Sequence, residues 1–232
     1  MSDRVVLWDF DGTLARRPGM WSGCVIEVLD REQEGHGIAR DHVREALRDG
    51  YPWDAWEEPH PHLCEEGRWW EAMERRIALA LERVGIEVGR AGALARAVRA
   101  RYLDVGVAWE LFEDTKAALS ALSEQGWRHV VLSNHVPELA DLIGGLGLAA
   151  HLDGIFSSAR TGYEKPHPEA FRLALRACGR PRRAWMVGDN PRADVAGAEA
   201  VGLPAILVRS SGPARLRAAG LAQAAAIIAG EP

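Results

Sequence analysis

The sequence predicts an α/β fold: a parallel sheet covered by helices on both faces, interrupted by one inserted all-helical domain. Three observations lead there. Short, mostly apolar runs recur at Val5-Val6-Leu7-Trp8, His129-Val130-Val131-Leu132, Ala184-Trp185-Met186-Val187 and Ala205-Ile206-Leu207-Val208. They are rich in β-branched and aromatic residues and lack polar alternation, as strands buried on both faces do. Beyond residue 113 helical patterns separate these runs, and strands alternating with helices make a parallel sheet. Between Leu14 and about Phe112 the chain reads as helices and loops with no strand. An ordinary βα loop has about 2–6 residues, so this stretch is an insertion. The expected division is a core of 1–14 and 113–232 around a helical domain of 15–112.

Taken in order, the first strand runs directly into Asp9-Phe10-Asp11-Gly12. Glu27-Val28-Leu29-Asp30 opens a weakly amphipathic stretch, and 40–49 is a better one, with Val43 and Leu47 four apart. Gly50-Tyr51-Pro52 stops it. Residues 53–67, with Pro59 and Pro61, read as loop. Residues 69–84 form a strong helix with Trp70, Met73, Ile77 and Leu81 on one stripe, and a further helix covers 91–103. Asp114 reads as the N-cap of a helix through Ser123, ended by Gly126. After the second strand closes in Ser133-Asn134, helices are expected at 137–146, 168–178 and 192–201. A short strand falls at Gly154-Ile155-Phe156, and Ala205-Ile206-Leu207-Val208 is the last clear strand. The tail, 222–229, is rich in alanine.

The 232 residues carry a formal charge of −5 without long runs of one sign, which speaks against nucleic acid or an anionic membrane as the main partner. No apolar run reaches the about 20 residues that span a bilayer. Met1-Ser2-Asp3-Arg4 leaves no room for a signal peptide before the first strand. Cys24, Cys64 and Cys178 are odd in number and far apart, so a reduced, cytoplasmic protein is expected.

Polar groups close the strands. They are Asp9 and Asp11, Ser133 and Asn134, Lys165, and Asp189 with Asp194. In a parallel sheet all strand C-termini share one edge, where open α/β sheets place their sites, so the four clusters can converge. Singly, each has a plain structural account: Ser133 or Asp189 as a helix cap, Lys165-Pro166 as an exposed turn, Asp194 as a charge near a helix N-terminus. Jointly, they do not. Four carboxylates within about 5 Å repel by on the order of 3 kcal/mol per pair at an effective dielectric of 20. Lys165 offsets part of that, and a hard dication with an all-oxygen shell, Mg²⁺, suits the remainder.

Asp9-Phe10-Asp11-Gly12-Thr13, Ser133-Asn134, Lys165-Pro166 and Gly188-Asp189-Asn190-Pro191-Arg192-Ala193-Asp194 together resemble the four motifs of the haloacid dehalogenase-like hydrolase superfamily. The helical insert after the first motif resembles the branch with an all-helical cap. The resemblance implies a Rossmann-like core. It implies that the Asp9 carboxylate, the Asp11 backbone carbonyl and the Asp189 carboxylate hold Mg²⁺, with Asp194 nearby orienting waters or Lys165. It implies a phosphate bound by Ser133, Asn134 and Lys165, and Asp9 as a nucleophile forming an aspartyl phosphate. Asp11 then protonates the leaving alkoxide and later activates water. A departing halide needs no proton, and dehalogenating members carry another residue at the second acidic position, so Asp11 favours phosphate-ester hydrolysis. The expected activity is a Mg²⁺-dependent phosphatase of a small phosphorylated metabolite. The alternatives are a phosphomutase, a 2-haloacid dehalogenase and a non-catalytic phosphate-binding protein.

In the insert, His60, His62 and Cys64 lack the further soft ligands a zinc site requires. Six tryptophans, Trp21, Trp53, Trp56, Trp69, Trp70 and Trp109, are expected mainly to pack the small domain. Trp21 and the loop 53–62 are the ones placed to meet a planar or apolar leaving group. Arg16 and Arg17 lie close to the first motif, as substrate contacts or as a solvated hinge. The insert is expected to close as a lid about hinges near 15–17 and 112–114.

Overall fold

The computed structural model describes residues 3–230; the outermost two residues at each end of the expected core lie outside the described residues. Strand β1 (Arg4–Trp8) is buried over its last four residues. A two-residue strand β2 (Ala15–Arg16) follows, then helices α1 (Met20–Glu32), α2 (Arg40–Ala46), α3 (Arg68–Arg83), α4 (Val88–Tyr102) and α5 (Val105–Ala108), and strand β3 (Glu110–Leu111). The remainder alternates: α6 (Thr115–Ser123), β4 (Arg128–Ser133), α7 (Leu139–Gly145), β5 (Gly154–Ser157), α8 (Ser158–Thr161), α9 (Pro168–Ala177), β6 (Arg183–Gly188), a π-helical turn at Pro191–Ala196, α10 (Gly197–Glu199), β7 (Ala205–Val208), β8 (Leu216–Ala218) and α11 (Leu221–Gly230).

Six strands form one parallel sheet in the order β5-β4-β1-β6-β7-β8. The period of two along each strand splits its side chains between two layers. Val6, Trp8, Val131, Val187 and Ile206 face the layer of α6, α7 and α11, through Leu119, Leu142 and Leu221. Val5, Leu7, Val130, Met186 and Leu207 face the other layer, through Phe171 of α9 and Val195 and Ala198 of the π-helical turn and α10. Runs without alternation are what a sheet covered on both faces requires. The buried Trp8 indole donates to Nδ1 of His129 on the neighbouring strand at 3.1 Å.

Four expectations are corrected. The stretch after Leu14 does contain strands: β2 pairs antiparallel with β3, Ala15 opposite Leu111 and Arg16 opposite Glu110. Two residues are too few to show any periodicity. Strand β8 and helix α11 extend the fold past the last strand expected. The helix expected at 192–201 is instead a π-helical turn followed by one α-turn. Asp114 stands at the N-cap position of α6, as expected, but its side chain makes no capping bond there. Its Oδ2 accepts the backbone N–H of Leu221 at 2.7 Å, so it caps α11, more than a hundred residues away.

Candidate active site

The site begins one residue past β1. The Asp9 N–H donates to the Val187 carbonyl at 2.9 Å, continuing the ladder. The chain then turns tightly, with Leu14 and Ala15 N–H both on the Phe10 carbonyl and Gly12 N–H on that of Ala15. Gly12 takes φ +79°, and a Cβ there would meet Oδ2 of Asp189 at 2.4 Å. At Gly188 a Cβ would lie 2.1 Å from Oδ2 of Asp194. Both glycines are therefore fixed by the acids pressed against them.

Strand β4 delivers Ser133 and Asn134. The Asn134 amide is committed to Lys165: its Nδ2 donates to the Lys165 carbonyl at 2.9 Å, and its Oδ1 accepts the Lys165 N–H at 2.7 Å. This clamp presents Lys165, 3% exposed, from the loop between α8 and α9. Its Nζ donates to Oδ1 of Asp9 at 2.8 Å and Oδ1 of Asp194 at 2.6 Å. Oδ2 of Asp194 accepts the Asn190 N–H at 2.9 Å. Asn190, not Asp189, caps the turn after β6, through the N–H groups of Arg192 and Ala193.

One carboxylate oxygen from each of Asp9, Asp189 and Asp194 lies within 4.8 Å of the others, and this is the one such cluster among the described residues. His60, His62 and Cys64 form no comparable group there. Burial, with Asp9 beside it, pushes the Asp11 carboxyl up to about 7. Burial and then Asp9, Asp194 and Asp11 push Asp189 up to about 8. Burial also raises Asp194, to about 6, against the pull of Lys165. Burial works against the Lys165 ammonium, yet Asp194 and Asp9 hold its pKa above the usual lysine value. Three clustered acids, with Asp11 beside them, face one ammonium and leave the site short of positive charge. An all-oxygen donor set in that state fits a hard dication such as Mg²⁺.

Asp9, Asp11, Ser133, Asn134, Lys165, Asp189 and Asp194 all line one cavity of about 270 Å³. The opposite wall comes from the helical segment: Met20, Trp21, Trp53, Trp69 and Tyr102. Trp21 and Trp53 thus stand where their positions in the chain led us to expect. Trp56, Trp70 and Trp109 do not line it. Arg17 does not reach the cavity; its buried guanidinium pairs with Glu27 at 2.9 Å, while Arg16 pairs on the surface with Glu110 at 2.7 Å. Tyr102 and His135 are among the lining residues that were not legible in the sequence. Tyr102 ends α4, and its hydroxyl is 3.3 Å from Nε2 of His135. His135 follows the Ser133-Asn134 pair directly, and that adjacency was the available signal. Burial lowers its pKa to about 3, leaving the ring neutral.

A parallel sheet with acids and a lysine at the C-terminal edge, crossed by a helical insert, is the arrangement of haloacid dehalogenase-like hydrolases. The family model for a haloacid dehalogenase-like hydrolase matches residues 4–202, and the chain belongs to that family. Among individual relatives, it is 35% identical over 227 residues to a phosphoserine phosphatase of Thermus thermophilus, covering 88% of each chain. It is 34% identical over 209 residues to a ribulose-1,5-bisphosphate 5-phosphatase of Halopiger xanaduensis, covering 87% of this chain and 83% of that one. The crystal structure of a 2-haloacid dehalogenase from Pseudomonas syringae superposes with a TM-score of 0.67 over 99% of both chains at 23% identity, a likeness of fold alone.

Proposed function

We propose that this chain is a Mg²⁺-dependent phosphatase of small phosphorylated metabolites, acting through an aspartyl phosphate in the cytoplasm. The observation that carries the reading is geometric: Asp9 and Asp11 open on one cavity, and the first is bonded to a buried lysine. The phosphatase relatives support it, and the three unpaired thiols suit a reduced compartment. No helix among the described residues is long and apolar enough to cross a membrane.

In this reading Lys165 fixes Oδ1 of Asp9, leaving Oδ2 to attack phosphorus. The bond from phosphorus to the leaving oxygen breaks, and Asp11 gives that oxygen its proton. Asp11 then takes a proton from the water that attacks the phosphorus of the aspartyl phosphate, freeing phosphate and restoring Asp9. Ser133, the Asn134 backbone and the Lys165 ammonium bind the phosphoryl oxygens. The Asp9 and Asp189 carboxylates and the Asp11 carbonyl would hold Mg²⁺, which when bound adds positive charge beside those oxygens. Asp194 positions Lys165. The helical segment 15–112 serves as a lid that excludes water.

Hydrolysis of p-nitrophenyl phosphate with and without Mg²⁺, beside the Asp9→Asn variant, tests this. Turnover should require the metal and fall at least a thousandfold in the variant. Activity surviving Asp9→Asn would refute the nucleophile.

A further inference from the structure

We propose that the cavity selects phosphate monoesters whose leaving group is uncharged and offers a flat, apolar face. This rests on the phosphatase reading and adds the substrate class to it.

The two walls divide the work. Every charged side chain lining the cavity belongs to the sheet side, around Asp9 and Lys165. The helical side is Met20, Trp21, Trp53, Trp69 and Tyr102 and carries no charge. Its rings are held in place. Trp21 stacks on Tyr102 with centroids 4.0 Å apart and planes within 5°, and Trp69 and Trp70 meet nearly perpendicular with centroids 4.9 Å apart. Trp53 stacks on Tyr51 at 4.5 Å yet stays half-buried, so indole surface remains open at the cavity. Preformed aromatic surface favours a ring or a chain of carbons over a hydrated group.

What the wall lacks is equally specific. Among the described residues lining the cavity, Lys165 is the one lysine or arginine, and its ammonium is already bonded to two carboxylates. His135, the other basic side chain there, has its Nε2 against the Tyr102 hydroxyl. The nearby arginines are engaged elsewhere. Arg17 and Arg101 both bind Glu27, and Arg192, two residues past the lining Asn190, lies over the Trp56 ring at 5.3 Å and 3.8 Å from Glu57. A carboxylate or second phosphate on the leaving group would be stripped of water with no cation to meet it. The substrate of this chain therefore differs in kind from phosphoserine, which carries a carboxylate, and from a sugar bisphosphate.

Three alkyl esters separate the factors, because their alkoxide leaving groups make similar demands on the chemical step: benzyl, ethyl and 2-carboxyethyl phosphate. We expect kcat/KM to fall about tenfold from benzyl to ethyl, the worth of one aromatic contact. A further drop of at least tenfold is expected to the carboxyethyl ester. Trp53→Ala should lower kcat/KM for the benzyl ester at least fivefold more than for the ethyl ester, and Trp53→Phe should restore most of the difference. Equal rates on benzyl and ethyl phosphate, or a preference for the carboxyethyl ester, overturn the proposal alone. No Asp9-dependent hydrolysis of any ester, p-nitrophenyl phosphate included, overturns the phosphatase reading and this inference with it.

Discussion

A methyl group at Gly12 would sit 2.4 Å from Oδ2 of Asp189, on backbone held at φ +79°. The left-handed backbone alone costs a non-glycine residue about 1–2 kcal/mol. The contact must also move Asp189 or the turn after β1, and under the proposed function misplacement by about 1 Å at a reacting centre costs on the order of 10²-fold in rate. Gly12→Ala should therefore lower unfolding stability modestly and phosphate-ester hydrolysis severely, as urea unfolding and steady-state kinetics would reveal. His129 governs a different property. Its ring, bonded to the Trp8 indole and facing the Ser123 hydroxyl, has its pKa lowered to about 4 by burial. The unfolded ring takes up a proton at about 6.5, so the unfolded state binds more protons between those values. Stability is full above pH 6.5 and declines as pH falls toward 4, by on the order of 3 kcal/mol from this group. In His129→Gln the fall in unfolding free energy across that window should be shallower than in the wild type. At this scale the sequence was readable where polar residues close strands or the loops after them, as with Asp9 and Lys165, which meet at the cavity. It was not readable for adjacent side chains on one helix. Trp69 and Trp70 differ by about 100° of helical turn. Trp70 lies on the apolar stripe and donates to Glu138 at 2.9 Å, while Trp69 lines the cavity. Which indole does which depends on how α3 is set against the sheet.

Asp114 sits where four segments meet. Its carboxylate takes the Arg209 guanidinium and the Leu221 N–H, and Arg209 also donates to the Thr13 carbonyl at 3.3 Å and lies 3.9 Å over the Phe112 ring. The end of β7, the turn after β1, the β3–α6 junction and the start of α11 meet there. Burial disfavours the Asp114 carboxylate, but Arg209 and the backbone N–H groups outweigh it and hold its pKa below the usual value. Its contribution is thus present above the unfolded pKa of about 3.9 and is lost as pH falls below it. Asp114→Ala should cost about 0.5–2 kcal/mol for the missing cap. Hydrogen exchange should speed most in α11. Uniform exchange across the chain would show that the cap is not what anchors the helix. No local pattern announces such a link, since capping rules assume the cap precedes its own helix. Five of the six strands of the sheet were legible because burial on both faces favours unbroken apolar runs; β8, three residues long and partly exposed, was not. Strands β2 and β3 and the π-helical turn were not, since they are set by the closing of the insert and by the packing of Asp194 under Gly188.

Across the whole molecule the acid cluster opposes folding in the absence of metal. Asp9, Asp189 and Asp194 share a space where single oxygens lie within 4.8 Å, and one lysine answers them. Natural sites of this kind give up stability for binding. An acid here either stays charged among its neighbours or takes up a proton at a cost, so a neutral residue of the same shape should help the metal-free chain. Asp189→Asn is expected to raise its melting temperature, by roughly 2–4 °C for each kcal/mol of repulsion relieved in a chain of this size. The response to Mg²⁺ should move the other way. A metal at a hundred times its dissociation constant stabilises the wild type by about 2.7 kcal/mol, and that gain should vanish in Asp189→Asn. Thermal melts of both proteins, with chelator and with Mg²⁺, read both effects at once. If Asp189→Asn melted below the metal-free wild type and still gained the full Mg²⁺ shift, Asp189 would be a structural acid and the cation would be held elsewhere.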